Sequence, residues 1–403
     1  MASAAAENQL SDSARRGWTV LAAYGLVCAA TQVLWLTYAA ITTESARHYG
    51  VSVGAIGWLA EIFPLVYVVL ALPAGMLLDR WFRPALALGG ALVAAGGLVR
   101  LGGDSFAWAM AGQALVSVAQ PIVVSAVSKL AGEYLPTGQR AAGIALASAG
   151  SFAGMVLALI LGPTLAAHGH VERLLEVQAA IALVPAILLA FALLAKPAFA
   201  ATSHEQVAIE GGAARALWRM REVRLLCGLV AIGFGVFVAL ATWLQQLLEP
   251  IGVSEKQAGG LLVAMVLAGI VGCAAFPPLV DRCGSERSFV LAAVLASCGG
   301  CVLLGVVRGL GAQGVTVACM GLLLLAALPV ILTSAERLAG AHAGTAGAIV
   351  WMAGNLGGLV VALIVQALVH HPLTAFLAMA VVSLAGVPLA RRVRPVKAVL
   401  GQA

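Results

Sequence analysis

Long apolar runs follow one another from one end of this 403-residue chain to the other, and they constrain its fold more than any other feature. A bilayer core about 30 Å thick needs roughly 20 consecutive apolar residues per helix. Short charged or Gly- and Pro-bearing turns divide the chain into twelve such runs. The predicted spans 1 to 12 are residues 18–43, 55–78, 84–103, 106–128, 140–167, 173–195, 224–248, 257–280, 288–307, 311–335, 343–369 and 373–390. We therefore predict an all-α integral membrane protein.

The composition excludes an ordinary soluble domain and gives no sign of a cofactor. Only 10% of the residues are charged and 62% are apolar, against roughly 25% charged residues in soluble domains. The seven cysteines fall mostly inside apolar runs, where cysteine behaves as a small hydrophobe. Cys298 and Cys301 have redox or metal spacing but no His or acidic neighbours, which favours helix packing. We expect no cofactor, no metal site and no catalytic residues.

The basic residues predict the orientation. An even number of spans places both termini on one side, and eighteen Lys and Arg residues fall on that side against five on the other. Cytoplasmic loops carry this excess of positive charge, so both termini are predicted to be cytoplasmic. The net charge of +6 is then explained by topology, and the predicted partner is the lipid bilayer, with no nucleic acid. The Ala-, Gly- and Arg-rich composition is typical of a GC-rich bacterial genome, which predicts a multi-pass protein of the bacterial inner membrane.

A repeat at about half the chain length predicts two matching halves. The glycines of span 5 recur in span 11 at a constant offset of 204: Gly143, Gly150 and Gly154 correspond to Gly347, Gly354 and Gly358. Parallel repeats of this kind build transporters from two halves. The predicted divisions are a cytoplasmic tail (1–17), a first six-helix half (18–195), a cytoplasmic connector (196–223), a second six-helix half (224–390) and a second tail (391–403).

The loop between spans 2 and 3 carries a charged motif that recurs in the second half. It reads Gly75-Met-Leu-Leu-Asp79-Arg80-Trp-Phe-Arg83, and Asp281-Arg282 repeats part of it after span 8. The motif resembles the signature of the major facilitator superfamily. The resemblance implies the major facilitator fold, with twelve helices in two pseudo-symmetric halves that alternate access to one central site. The predicted conformational latch comprises Gly75, Asp79, Arg80, Arg83, Asp281 and Arg282. The alternative is that these charges are solvated loop ends that only fix topology.

Span 1 resembles a narrower group. Trp35-Leu-Thr-Tyr38, Tyr49-Gly50-Val51 and Ile56-Gly-Trp58-Leu59 look like the first two spans of the feline leukaemia virus subgroup C receptor-related transporters, a family associated with haem, choline and ethanolamine. The similarity is clearest from about 18 to 165. It implies that Trp35 belongs to an aromatic substrate cage and Gln120 to its polar wall. Two positions depart from the family: Ser151 replaces an Asn, and Val238, next to Phe237, replaces a Tyr.

Two further features of these spans bear on a substrate site. Trp35 and Tyr38 are three residues apart, which would place them on one helical face; packing or lipid contact is the alternative. Glu61 is an intramembrane carboxylate, which is by default a functional candidate. It could neutralise a cationic substrate or carry a coupling proton. Alternatively it lies near the outer interface and pairs with Arg100.

These observations predict a secondary transporter and no enzyme. The leading substrate is a choline-like or other small organic amine. The alternatives are proton-coupled efflux or uptake of another organic molecule, including haem or an organic anion, and a ligand sensor that transports nothing. We expect a monomer, with a proton as a candidate coupling ion carried by Glu61. The predicted substrate site consists of Trp35, Tyr38, Glu61, Gln120, Ser151, Gln245 and Asn355.

Overall fold

The computed structural model describes residues 2–166, 170–199 and 211–393. All regular elements in these ranges are helical, and twelve helices are long and apolar enough to cross a membrane. This confirms the predicted fold class. The spanning helices are Ala2–Leu36, Val53–Arg80, Phe82–Val99, Phe106–Ser125, Arg140–Leu165, Val171–Ala192, Arg221–Leu248, Glu255–Cys283, Glu286–Val306, Leu310–Ala339, Ala343–Ala367 and Pro372–Arg392. They are numbered below as spans 1 to 12.

Span 1 differs from its prediction. Its α-helix ends at Leu36 instead of continuing to residue 43, and a turn, a short 3-10 segment (Ala39–Ile41) and a separate helix (Thr42–Tyr49) follow. The Thr37 hydroxyl lies 3.1 Å from the Val33 carbonyl and 3.0 Å from that of Leu34, and so satisfies carbonyls that the broken helix leaves open. Tyr38 therefore lies outside the helix that carries Trp35, and the prediction that the two share one helical face was wrong.

Small residues let the spans approach closely within each half. A Cβ added to Gly154 of span 5 would lie 2.2 Å from the Ala29 carbonyl oxygen of span 1. In the second half, a Cβ on Gly357 of span 11 would lie 2.0 Å from the Ala231 carbonyl oxygen of span 7. Without such glycines these backbones could not touch. Spans 1 and 5 thus meet in the same manner as spans 7 and 11, the pairs that the sequence repeat relates.

Because the number of described spans is even, span 1 begins at the same end of the bundle at which span 12 ends. We call this end the terminal face and the opposite end the far face. Two short helices, Val127–Tyr134 and Gly211–Arg219, lie at the terminal face beside the ends of spans 4 and 7. The break after Leu36 and the helix Thr42–Tyr49 lie toward the far face. The two ends are therefore built differently, and the functional residues divide between them.

The close contact of spans 1 and 5 makes a test of the packing. We expect Gly154→Ala to lower the thermal stability of the purified protein, because the added methyl must displace the span 1 backbone, and overpacking typically costs about 1–3 kcal/mol. Gly299→Ala is the matched control, since nothing lies within 4 Å of its added Cβ in span 9. The measurement is thermal unfolding in detergent micelles. Equal melting temperatures for both variants would contradict the packing described here.

Candidate functional site

A cavity of about 820 Å³ lies between the two halves. Spans 1, 2, 4 and 5 of the first half and spans 7, 8, 10 and 11 of the second contribute to its wall. Ser128, Lys129, Glu336 and Thr345 line its mouth, and all of them lie at the terminal face. The cavity therefore opens toward the terminal face and closes toward the far face, as one state of an alternating-access protein requires.

The first half lines the cavity with one face of span 1 and one face of span 2. Both sets recur at intervals of three or four residues, which places each on a single side of its helix. On span 1 the lining residues are Tyr24, Cys28, Gln32 and Trp35, and on span 2 they are Phe63, Tyr67, Ala71, Gly75 and Leu78, with Pro64 beside Phe63. This spacing was visible in the sequence, so Tyr24, Cys28, Phe63 and Tyr67 could have been predicted with Trp35.

Trp35 holds a fixed position in the last turn of span 1. Its indole N–H donates to the Ala60 carbonyl oxygen of span 2 at 3.3 Å. Its ring centroid lies 6.4 Å from that of Phe63, with a tilt of 42° between the rings. The hydrogen bond and the ring contact both hold the indole against span 2. The structure thus places Trp35 in the wall at the closed end of the cavity.

The predicted residues Gln120, Ser151 and Asn355 also line this cavity. Asn355 donates to the Trp351 carbonyl oxygen at 2.9 Å, which turns its amide along span 11. At the position where the family resemblance has a Tyr, both Phe237 and Val238 line the wall. The Phe234 ring lies 5.8 Å from those of Phe237 and Trp351, so the second half presents its own aromatic cluster.

Three predicted site residues lie elsewhere in this conformation. Tyr38 is buried at the far face, where its hydroxyl lies 3.4 Å from that of Tyr49. Glu61 is buried between span 2 and span 7, outside the cavity wall. Gln245 donates to the Thr43 hydroxyl at 3.0 Å in the far-face contact between the halves. Of these three residues, Tyr38 is the one that the break in span 1 removes from the helix that carries Trp35.

Arg100 organises the break in span 1. Its guanidinium is buried and donates to the Leu34 carbonyl oxygen at 3.1 Å and to the Thr37 hydroxyl at 3.1 Å. It also bonds the amide oxygen of Gln113, whose own amide donates to the Leu59 carbonyl at 2.8 Å. The guanidinium carbon also lies 5.6 Å from the centroid of the Tyr38 ring. The alternative that Glu61 pairs with Arg100 is therefore not what the structure shows.

The far face is closed by polar contacts that join the two halves. Thr43 donates to the Glu249 carboxylate at 2.8 Å, and the Glu44 backbone N–H donates to Glu255 at 3.2 Å. The Gln366 amide donates to the Gly54 carbonyl at 3.1 Å. We call these contacts the far-face rim. The rim seals the end of the molecule that the cavity does not reach.

The predicted latch residues lie at the terminal face. Arg80 places its guanidinium 5.1 Å from the centroid of the neighbouring Trp81 ring, and Arg83 donates to the Leu193 carbonyl within its own half. Gly75 lines the cavity and Arg282 is exposed. The side chains of Asp79 and Asp281 lie outside the described part of the structure, so the latch stays a prediction.

Charge near the mouth of the cavity is concentrated around Glu133. Burial raises the pKa of this carboxyl, while the nearby Lys129 and Arg83 lower it. Lys129 donates to the Leu78 carbonyl at 3.0 Å and lies 5.2 Å from the centroid of the Phe82 ring. The mouth therefore carries both signs of charge, in contrast to the neutral wall above it.

Residues 20–362 match the family described as the Major Facilitator Superfamily. The chain belongs to this superfamily. Solute carrier family 49 member A3 from Danio rerio is 28% identical over 380 residues, which cover 89% of this facilitator and 80% of the relative. The choline/ethanolamine transporter FLVCR2 from Homo sapiens is 25% identical over 341 residues, covering 78% of this chain and 64% of the relative. These relatives confirm the predicted resemblance.

The fold agrees with a solved facilitator. The crystal structure of a bacterial homologue of the human lysosomal transporter Spinster, in an inward-facing and unoccupied conformation, gives a TM-score of 0.71 at 16% identity. The match covers 93% of this chain and 95% of that one. At this identity the likeness shows the fold alone.

The network at Arg100 predicts a large loss of stability. We expect Arg100→Ala to destabilise the facilitator by about 3 kcal/mol or more, because it removes charge-assisted bonds and leaves Gln113 and Thr37 without their buried partner. Arg173→Ala is the control, since Arg173 is exposed at the start of span 6. Thermal unfolding of the purified proteins measures the difference. An Arg100→Ala protein as stable as Arg173→Ala would show that the break is held by other groups.

Proposed function

We propose that this facilitator carries a small organic cation, a choline-like amine, across the membrane by alternating access through the cavity between its halves. The cavity binds the cargo from the terminal face in the present conformation. Opening of the far-face rim and closing of the mouth would then present the same site to the other side. We expect no catalysis, since carriage changes no covalent bond of the cargo.

The aromatic wall of a neutral cavity is the observation that supports a cation. Of the described lining residues, Lys129 and Glu336 are the charged ones, and both lie at the mouth. The deeper wall offers the rings of Trp35, Phe63, Tyr67, Phe237 and Trp351. An ammonium over such ring faces gains about 2 kcal/mol or more when it is desolvated. Gln120 and Asn355 supply polar groups for a hydroxyl or similar substituent.

The proposal includes the orientation of the protein in the membrane, with the terminal face on the cytoplasmic side. Loops at the terminal face carry most of the basic residues, which supports a cytoplasmic position for this face. The cavity would then be open to the cytoplasm, and the far-face rim would face the outside of a bacterial inner membrane. Impermeant labelling of residues at each end would test the assignment directly.

The size of the cavity supports a second candidate cargo. Its volume of about 820 Å³ lies in the upper part of the range of about 300–1,000 Å³ that holds drug-sized ligands. A larger amphipathic organic molecule could therefore fill the aromatic wall with its apolar part and keep its polar group near Lys129 and Glu336. Competition between choline and such a molecule for uptake would show whether they share this wall.

Uptake of labelled choline into sealed vesicles tests the proposed function. We expect purified wild-type protein to move choline, and Trp35→Ala to raise the half-saturating concentration roughly 30-fold, the equivalent of about 2 kcal/mol of lost ring contact. Trp35→Phe keeps a ring face and should lose less. The measurement is the initial rate of uptake as a function of choline concentration.

The control is Trp218→Ala, which removes a half-exposed indole from the short helix at the terminal face. Its uptake should match the wild type. Absence of choline uptake would contradict the proposed cargo. Choline binding without movement of label would instead identify a sensor, and unchanged kinetics in Trp35→Ala would place the site elsewhere.

A further inference from the structure

Glu61 occupies a sealed position between the cavity and the far-face rim. It lies eight residues after the start of span 2 and is completely buried. Neither carboxyl oxygen has a hydrogen-bond partner among the described residues. The cavity wall includes Phe63, two residues further along the same helix, but not Glu61. The carboxyl is thus closed off from the cavity as well as from the far face.

The group that covers Glu61 comes from the other half. Trp243 of span 7 is completely buried, and a Cβ added to Gly57 of span 2 would lie 2.2 Å from its ring. Gly57 and Glu61 are one turn apart on the same side of span 2. The Trp243 indole is the side chain that interacts with the carboxyl, although the two do not meet hydrogen-bond geometry. Glu61 and Trp243 therefore face each other across the boundary between the halves.

The position is completely buried, and no described residue forms an ion pair with the Glu61 carboxyl. The charged residues on the elements that meet spans 2 and 7 at this end belong to the far-face rim or face solvent: Glu44, Arg47, Glu249, Glu255 and Lys256. Arg100 is turned toward Leu34 and Gln113. Within the described part of the chain, none of these groups forms a hydrogen bond or an ion pair with the Glu61 carboxyl. An ionised carboxylate without a partner is very costly in such surroundings.

From this geometry we infer that Glu61 is a proton-binding site, and that closure of the far face requires its proton. The neutral acid fits under Trp243. When the halves separate at the far face, Trp243 leaves Gly57, water reaches the carboxyl and the proton can dissociate. Closing the far face again requires the proton to return. The inference rests on the alternating access of the proposed function but not on the identity of the cargo.

The route of the proton follows from the same geometry. Because Glu61 is absent from the cavity wall, its proton enters and leaves through the far face, not through the terminal-face cavity. Opening of the far face therefore depends on the pH of the solution on that side of the membrane. With one proton bound in the closed form, the ratio of closed to open molecules is highest at low pH. It falls by up to about tenfold per pH unit as the pH rises.

The test is the separation of the two halves at the far face as a function of pH. Spin labels are attached to Ser52→Cys and Lys256→Cys, which are exposed on opposite halves, in full-length protein whose seven native cysteines are replaced. Distances are measured by electron–electron resonance in lipid nanodiscs. We expect a short distance in mild acid and a growing longer-distance population in mild alkali. Glu61→Gln should keep the short distance at both, and Glu61→Asp should keep the pH dependence.

The rim carboxylates are the matched controls, because they lie at the same interface but in contact with polar partners. Glu249→Gln and Glu255→Gln should each retain the pH-dependent shift. A shift that persists in Glu61→Gln, or that disappears in either rim variant, overturns the assignment. So does a wild type whose distance is insensitive to pH. If Glu61→Gln does not fold, the wild type and the rim variants decide the question by the same criteria.

Choline exchange in vesicles at matched internal and external pH separates this inference from the proposed function. The exchange rate of the wild type should depend on pH, and that of Glu61→Gln should not. If choline is neither bound nor moved, the proposed cargo fails, while the spin-label distances still decide the proton site. If choline moves and a pH gradient alone drives its accumulation, the proton crosses with the cargo, and the far-face route is overturned.

Discussion

The bilayer offers no water to a broken helix, and this constraint makes the rest of the structure depend on Arg100. The helix of span 1 ends at Leu36, inside the molecule, and leaves carbonyls without partners. Arg100 and Thr37 satisfy the Leu34 carbonyl from the side, and a cation at this end also suits the negative end of the helix dipole. Trp35, in the last turn before the break, lines the closed end of the cavity. The break also frees the following helix, Thr42–Tyr49, to reach the second half.

Sequence reasoning predicted the spans well because their cause is local. Each run of apolar residues meets the membrane requirement by itself, and the repeated glycines of spans 5 and 11 are readable as a pattern. The break in span 1 could not be predicted in this way. No Pro or Gly lies between Leu34 and Thr42, and the groups that stabilise the break, Arg100 and Gln113, come from other spans. The charge of Arg100 inside the predicted third span was the available signal, since such a charge must have partners.

The candidate site was predicted in part for the same reason. Trp35, Gln120, Ser151 and Asn355 reach the cavity because they lie on continuous helices whose faces can be counted. Tyr38 and Gln245 lie beyond the break or at the rim, where the direction of a side chain depends on contacts between the halves. Glu61 was recognisable as a costly intramembrane charge, but Trp243, which covers it, is remote in the sequence. Only the fold shows that the two face each other.

The position of the Glu61 carboxyl outside the cavity wall is consistent with the release that a carrier requires. A carrier must bind its cargo tightly enough to select it and weakly enough to release it on the other side. A carboxylate deep in a dry wall would hold a cation strongly, because attraction between opposite charges grows in a medium of low dielectric constant. Ring faces such as those of Trp35 and Trp351 contribute a few kcal/mol at most. The buried carboxyl of Glu61 lies instead behind Trp243, where it can bind a proton without trapping the cargo. The ring faces of the cavity wall thereby select the cargo, while Glu61 behind Trp243 controls the opening of the far face.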